Sequence, residues 1–390
     1  MNKPTDTPLR LLNNLTPSQF LAEYWQKKPL LIRGAIPDFK GLLNPNELAG
    51  LACEDDVQAR IIKHIKGKWQ VKSGPFDEAD FTQLPERDWT LLVQSVNNHL
   101  PEAADLLSQF NFIPHARLDD LMVSYAPDSG GVGPHTDSYD VFLLQGSGQR
   151  RWKISGTNNK NPVDLSLIEN APLKILKYFE TEQEWVLEAG DMLYLPPQIA
   201  HWGTAVGDDC MTYSIGFRAP KTQELMHEFL NYMQDHLNAE GLYSDPDLVL
   251  QNHPAEISER MINKVSEMLR TITWDKNNVA DFLGKYLTEP KPDVVFEPAR
   301  KISKNEFTKQ LAKKTLWLSL KSQLLFTGNS FYLNGEKLTI PAEMIGFMQD
   351  FADKRYLKTP ALQANIHAAL GEVLFEAYLA GYICLKSEQP

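Results

Sequence analysis

The sequence predicts an α+β chain: a central β barrel or sandwich, helices on either side of it, and a small helix-and-hairpin module at the carboxyl end. Three observations carry this reading. From Leu121 to Phe217 the chain breaks into short β-rich runs punctuated by Gly-Gly, Gly-Ser-Gly and Pro-Pro, the texture of many strands joined by turns. After Pro220 the apolar residues fall at helical spacing instead. Beyond a linker with three prolines, Thr288 to Pro298, helix and hairpin signals alternate. The 390 residues exceed one ordinary core. The expected modules are 1–220, 221–290 and 291–390.

In chain order, Thr16 reads as an N-cap with Pro17 at the first helical position and Gln19 completing a capping box, so a helix is expected to about Gln26. Lys28-Pro29 ends it, Leu30-Leu31-Ile32 follows as a short buried strand, and mixed helical patterns run to about Gln109. The expected core strands are Leu121 to Tyr125, His135 to Leu144, Arg150 to Ile154, Trp185 to Leu187, Met192 to Leu195, His201 to Val206 and Met211 to Phe217. Leu225, Phe229, Met233 and Leu237 share one helix face. Ile257, Met261, Val265, Met268 and Ile272 share a second, and Phe282, Tyr286 and Leu287 a third. The last module reads as helix (Ser303 to Lys314), strand (Leu316 to Phe326), hairpin over Asn334-Gly335, helix (Pro341 to Ala352), helix (Ala361 to Ala380) and strand (Tyr382 to Leu385). That order is winged-helix-like, without a strongly basic recognition helix.

Composition narrows the function. With 43% hydrophobic and 23% charged residues the chain is neither disordered nor fibrous. A net charge of −11 disfavours a phosphate backbone as the main partner, so no direct DNA binding is expected and a basic partner suits it better. The stretch Lys291 to Lys321, with eight Lys/Arg against three Asp/Glu, reads as a solvated helix face. Cys53, Cys210 and Cys384 have no C-x-x-C spacing, which argues against a disulfide scaffold or thiolate metal site and suits a reducing compartment. Met1 to Leu12 lacks an apolar run, and no stretch approaches the about 18 apolar residues of a membrane span. A cytoplasmic protein with no membrane association is expected.

The chemistry is concentrated in two segments. In Gly130 to Leu144, His135 and Asp137 stand two apart and therefore face one side of a strand. In Glu188 to Trp202, Gly190-Asp191 turns into a buried run, Pro196-Pro197 breaks it, and His201 opens the next strand. Two imidazoles and one carboxylate form the facial triad of non-haem iron(II) oxygenases, which leaves positions open for cosubstrate and oxygen. In Arg150-Arg151-Trp152-Lys153-Ile154, alternation places Arg150 on the buried face with Trp152 and Ile154. A buried guanidinium needs a partner. It is either an ion pair within the protein or the distal carboxylate of 2-oxoglutarate, which a guanidinium fork binds through two hydrogen bonds.

These segments closely resemble the JmjC-type bacterial ribosomal oxygenases, arginine hydroxylases that act on the sixteenth protein of the large ribosomal subunit. The resemblance runs nearly end to end. It is carried by Asp119 to Tyr125, Gly130 to Phe142, Gln145-Gly146, Arg150-Arg151-Trp152, Gly190-Asp191 with Pro196-Pro197 and His201, Tyr213 to Pro220, and Tyr243 to Asp247. It implies a double-stranded β-helix (cupin/JmjC) core, a helical dimerisation region giving a homodimer, and a winged-helix-like C-terminal module. It also implies Fe(II) at His135, Asp137 and His201, with 2-oxoglutarate contacted by Arg150 and Ser124 and O2 as the second cosubstrate. Two departures stand out: Gln149 where a run of three arginines is typical, and Trp202 where an acidic residue is common.

An arginine substrate needs carboxylate or aromatic partners, and Asp119, Asp120 and Tyr139 are candidates by location. The same iron site serves histidine hydroxylation or lysyl demethylation equally well, so those remain enzymatic alternatives. A non-oxidative cupin has no need for Arg150. From another class, a winged-helix regulator that senses a ligand in the barrel is the remaining alternative, and the acidic charge disfavours it.

Overall fold

The structure, a computed structural model, describes residues 6–156, 164–237, 240–360 and 362–387. The expected helix start at Ala361 and the first five residues of the amino-terminal stretch lie outside them. Helix α1 (Pro17–Glu23) starts at the Thr16/Gln19 capping box and ends three residues before the expected Gln26; β1 (Leu30–Ile32) follows. Helix α2 (Pro45–Leu51) comes next. The sequence reading then fails, because β2 (Ala59–Ile65), β3 (Lys68–Ser73) and β4 (Trp89–Val93) are strands, interrupted only by the short α3 (Glu78–Thr82) and followed by α4 (Pro101–Ser108). β4 is buried along its whole length, so its residues show no alternation, and pairing partners far away in sequence decide its state.

The core strands are β5 (Leu118–Ala126), β6 (His135–Thr136), β7 (Val141–Ser155), β8 (Gln183–Leu187), β9 (Met192–Leu195) and β10 (Ala200–Phe217). Two expected breaks are absent. Arg150 to Ile154 belongs to the same strand as Val141, and His201 to Val206 runs on into Met211 to Phe217. The glycine-rich stretches bend these strands instead of ending them: Gly148 and Gly207 have positive φ, and the β7–β10 register shifts between Val206 and Met211. Conversely, the expected strand from His135 is interrupted after Thr136 and resumes at Val141. Bent β7 and β10 each have a different outer partner on either side of the bend, β9 then β8 for β7 and β6 then β5 for β10, as a double-stranded β-helix requires. Among the described residues one antiparallel sheet runs β1-β9-β7-β10-β5-β4-β2-β3, with β6 on β10 and β8 on β7.

Strand alternation divides this sheet into two chemistries. Ile61, Leu91, Val93, Leu121, Val123, Phe142, Met211, Tyr213 and Ile215 pack into the main core with Leu12, Phe20 and Phe110 of the amino-terminal segments. Their sequence neighbours Arg60, Gln94, Asp120, Ser124, Thr212 and Ser214 turn to the other face, where they line a cavity.

Helices α5 (Thr222–Gln234), α6 (Glu259–Leu269) and α7 (Lys276–Thr288) follow. The last module has α8 (Lys304–Leu311), β11 (Thr315–Leu318), β12 (Leu324–Thr327), β13 (Ser330–Leu333), β14 (Glu336–Leu338), α9 (Ile345–Lys354), β15 (Tyr356–Leu357), α10 (Ala364–Leu379) and β16 (Ile383–Lys386). The single strand expected from Leu316 to Phe326 is two, in separate three-stranded sheets, β15-β11-β16 and β12-β13-β14. The Asn334-Gly335 turn has both residues at positive φ, as a tight hairpin needs.

Candidate active site

β6 pairs with the first residues of β10 so that His135 and His201 are direct partners, with ring centroids 4.2 Å apart. The chain reaches that position only through glycine: a Cβ on Gly131 would lie 2.3 Å from the Gly203 carbonyl oxygen, and Gly133 at φ +82° sits under the Trp69 ring. After β6 the chain leaves the strand, and Asp137 Oδ2 lies 3.6 Å from His201 Nε2. Asp140 anchors this departure. It is fully buried, accepts from Tyr194 Oη at 2.6 Å and Gln26 Nε2 at 2.9 Å, and has Arg117 at 3.6 Å. The Asp137 carbonyl accepts from Gln198 N at 2.8 Å, which ties the loop to the turn entering β10.

One ligand atom from each of His135, Asp137 and His201 lies within 4.8 Å of the others. His135 Nδ1 is 2.9 Å from the Gly133 carbonyl and His201 Nδ1 is 2.9 Å from that of Ile199. A carbonyl only accepts, so both Nδ1 atoms carry the proton and both Nε2 lone pairs are free, the tautomer a metal needs. Burial and the neighbouring His135 push the His201 pKa down to about 4, against the opposing pull of Asp137, so this imidazole is neutral at neutral pH. The donor set fits a small divalent transition-metal ion.

Arg150 lies on the same cavity, 5% exposed. Its Nε donates to Cys210 Sγ at 3.4 Å, its guanidinium sits 5.8 Å from the Trp152 ring, and the buried Nη2 has no hydrogen-bond partner among the described residues. Of the two partners open to it, the described residues supply no carboxylate. A carboxylate ligand fits that orphaned donor. Ser124 is buried on the cavity wall, and its Oγ donates only a long 3.4 Å bond to the Thr212 carbonyl. The two departures at Gln149 and Trp202 do not line the cavity: Gln149 donates to Glu188 at 3.0 Å, and Trp202 packs against Phe179.

The cavity measures about 490 Å³ and brings together all five residues expected at the metal and cosubstrate, together with Asp119, Asp120 and Tyr139. Asp119 is engaged by Lys291 at 2.9 Å and Arg218 at 3.6 Å. Asp120 is 8% exposed, and its Oδ2 accepts from Ser95 N at 2.9 Å and Ser95 Oγ at 3.2 Å. The Tyr139 hydroxyl has its pKa raised by burial and by Asp137, so it remains a neutral phenol. Sequence reasoning missed Arg60, Gln94 and Asp140. The first two sit in the stretch read as helical. Asp140 carried a signal, a lone acid opening the apolar run Val141 to Leu144.

The JmjC-domain family profile matches residues 105–225, and a ROXA-like winged-helix profile matches 271–383. The Escherichia coli ribosomal protein uL16 3-hydroxylase is 36% identical over 328 residues, covering 83% of this chain and 85% of that one. The chain belongs to the JmjC ribosomal oxygenases. Among solved structures, the E. coli ribosomal oxygenase YcfD in complex with cobalt and 2-oxoglutarate superposes with a TM-score of 0.79 at 32% identity, covering 94% of this chain and 97% of that one. A more distant relative, the bifunctional lysine-specific demethylase and histidyl-hydroxylase NO66 of Aedes aegypti, is 24% identical over a match that covers 48% of this chain and 30% of its own.

Proposed function

We propose that this ribosomal oxygenase is an Fe(II)- and 2-oxoglutarate-dependent dioxygenase that hydroxylates an arginine side chain of uL16, a basic protein of the large ribosomal subunit. The observation that carries it is the unpartnered, buried Nη2 of Arg150 in the same cavity as a three-donor metal cluster. His135, Asp137 and His201 hold the metal, Arg150 receives the distal carboxylate of 2-oxoglutarate, and Ser124 offers a hydroxyl to the same cosubstrate. When bound, iron and 2-oxoglutarate supply the oxidising power that converts a C–H bond to C–OH with O2.

The chain's own residues do the rest by positioning. The two Nδ1–H bonds to backbone carbonyls lock the imidazoles before metal arrives. Trp152 walls the metal side of the cavity, with its ring 5.8 Å from His201, and helps exclude water. Asp120 receives the substrate guanidinium, with Tyr139 as a flanking neutral ring. The test is to incubate the protein with Fe(II), 2-oxoglutarate, O2 and uL16 and to locate one added oxygen atom by mass spectrometry. Oxygen on histidine, or loss of methyl groups from lysine, refutes the arginine reading.

The same reading makes the protein a cytoplasmic homodimer. Support for the dimer comes from α5, α6 and the segment between them, where Met226, Leu230, Leu242, Leu250, Ile257 and Leu269 are exposed, too many apolar side chains for a helical region left in water. Sedimentation that gives the monomer mass at micromolar concentration would refute it. No helix among the described residues is long and apolar enough to cross a membrane.

A further inference from the structure

The hydrogen bonds to Asp120 fall on one oxygen, while Lys291, paired with the neighbouring Asp119, acts on its charge without bonding to it. Ser95 donates both its backbone N–H and its hydroxyl to Oδ2. Ser95 achieves this at φ +52°, a left-handed conformation that a non-glycine residue adopts at a cost. Gln94, the residue before it, brings a third group to the same oxygen. With its amide nitrogen toward Asp120 and its oxygen toward Arg60, Gln94 lies 3.2 Å from Asp120 Oδ2 and 3.3 Å from Arg60 Nη2. This orientation is the one that gives a donor to the carboxylate and an acceptor to the guanidinium. Among the described residues no protein donor is hydrogen-bonded to Oδ1, which faces Gly216, where the absence of a side chain leaves it open. Arg60, Gln94 and Asp120 all line the cavity that contains His135, Asp137 and His201.

We propose that Gln94 and Arg60 are positioning residues of the arginine subsite, acting through Asp120. The inference rests on the reading that Asp120 receives the substrate guanidinium. Its physical content lies in the interposed amide. If Arg60 met Asp120 directly, a protein–protein ion pair would spend the charge that the substrate needs. Gln94 transmits the orientation while keeping the cation one side chain away. Oδ2 is then saturated by neutral donors and Oδ1 is left for a guanidinium N–H. The arrangement selects arginine over lysine, because a fixed carboxylate rewards a planar fork more than a rotating ammonium.

The test uses full-length protein loaded with Mn(II) and 2-oxoglutarate, titrated calorimetrically with two peptides. One spans the modified arginine and the other carries lysine there. Gln94→Leu keeps the volume but removes the relay. It should weaken the arginine peptide about ten-fold, the value of one hydrogen bond to a charged group, with little change for the lysine peptide. Its 2-oxoglutarate affinity and melting temperature should match the unmodified protein. Arg60→Met should reproduce this loss of selectivity and Arg60→Lys should restore most of it. In turnover the loss should fall on KM for the arginine substrate more than on kcat. Equal weakening of both peptides, or a parallel loss of 2-oxoglutarate binding, assigns Gln94 a purely structural role and overturns the proposal. If Asp120→Asn lowers arginine-peptide affinity while Gln94→Leu leaves it intact, the relay fails and the Asp120 reading stands. If Asp120→Asn changes nothing, both fall.

Discussion

Replacing Arg150 by Met separates ligand recognition from folding. The substitution keeps an unbranched stem of similar reach inside a site that is 5% exposed, and it removes a guanidinium whose Nη2 has no protein partner. In the ligand-free protein that unmade hydrogen bond is a liability of about 1–3 kcal/mol. It is partly offset by the Cys210 bond and the Trp152 ring, which Met forfeits. The ligand-free variant should therefore be as stable as the parent or more so, by up to about 1 kcal/mol, or roughly 2–4 °C for a domain of this size. With ligand the sign reverses. Losing one partner of a buried charge pair costs about 3 kcal/mol, equivalent to roughly a hundred-fold weaker 2-oxoglutarate binding. Thermal melts of the Mn(II)-loaded protein with and without 2-oxoglutarate read both quantities. A variant that melts well below the parent without ligand, yet still gains the full ligand-induced shift, would show that Arg150 is a structural residue and would refute the cosubstrate assignment.

Three further outcomes follow from the same geometry. His201→Ala and Asp137→Ala should each lose stoichiometric Fe(II) or Mn(II) after dialysis, with far-UV circular dichroism unchanged; a variant that retains metal places the ion elsewhere. Gly284→Ala would put a Cβ 2.3 Å from Tyr332 Cδ2. Helix propensity favours Ala by about 1 kcal/mol but the overlap costs more, so the variant should melt below the parent, and a stabilised variant would show that the hairpin moves freely off α7. Asp281 joins α7 to α5 and the hairpin by accepting from Lys337 Nζ at 2.7 Å, Tyr332 Oη at 3.0 Å and Tyr232 Oη at 3.1 Å. Burial alone would raise its pKa, but Lys337 and the two hydroxyls bring it down to about 2 from 3.8. A depressed folded-state pKa means that its stabilisation is complete above the ordinary value of 3.8 and is lost as pH falls toward about 2. Urea unfolding across that window should show a slope that Asp281→Asn flattens; an unchanged slope removes Asp281 from the acid response.

Much of the site was legible because its chemistry is local. Arg150 shares a face with Trp152 by a strand's period of two, as burial bears out, whereas Asp137 lies just past the end of β6, so its nearness to His135 comes from the loop that follows and not from strand alternation. The helix starts at Thr16 and Ser303 and the turn at Asn334-Gly335 were legible too, since caps and tight turns involve residues within a few positions of one another. Gly146 to Gly148 misled because glycine signals both a turn and a bend, and only a neighbouring strand that bends at the same place distinguishes them.

What the sequence by itself determined, then, is the candidate donor set and its order: two imidazoles on strands, a carboxylate close by in the chain, and one guanidinium facing inward. Tertiary structure alone decided what those groups meet. β4 enters the sheet by pairing with β5, as in Leu91 with Tyr125, and β2 enters by pairing with β4, and so Arg60 and Gln94 reach the cavity. Only in that assembled sheet does Arg150 meet no carboxylate among the described residues, while the hydrogen bonds to Asp120 gather on one of its oxygens. Local spacing specifies which face a side chain takes, but the unmet hydrogen bonds that mark a binding site are properties of the completed packing.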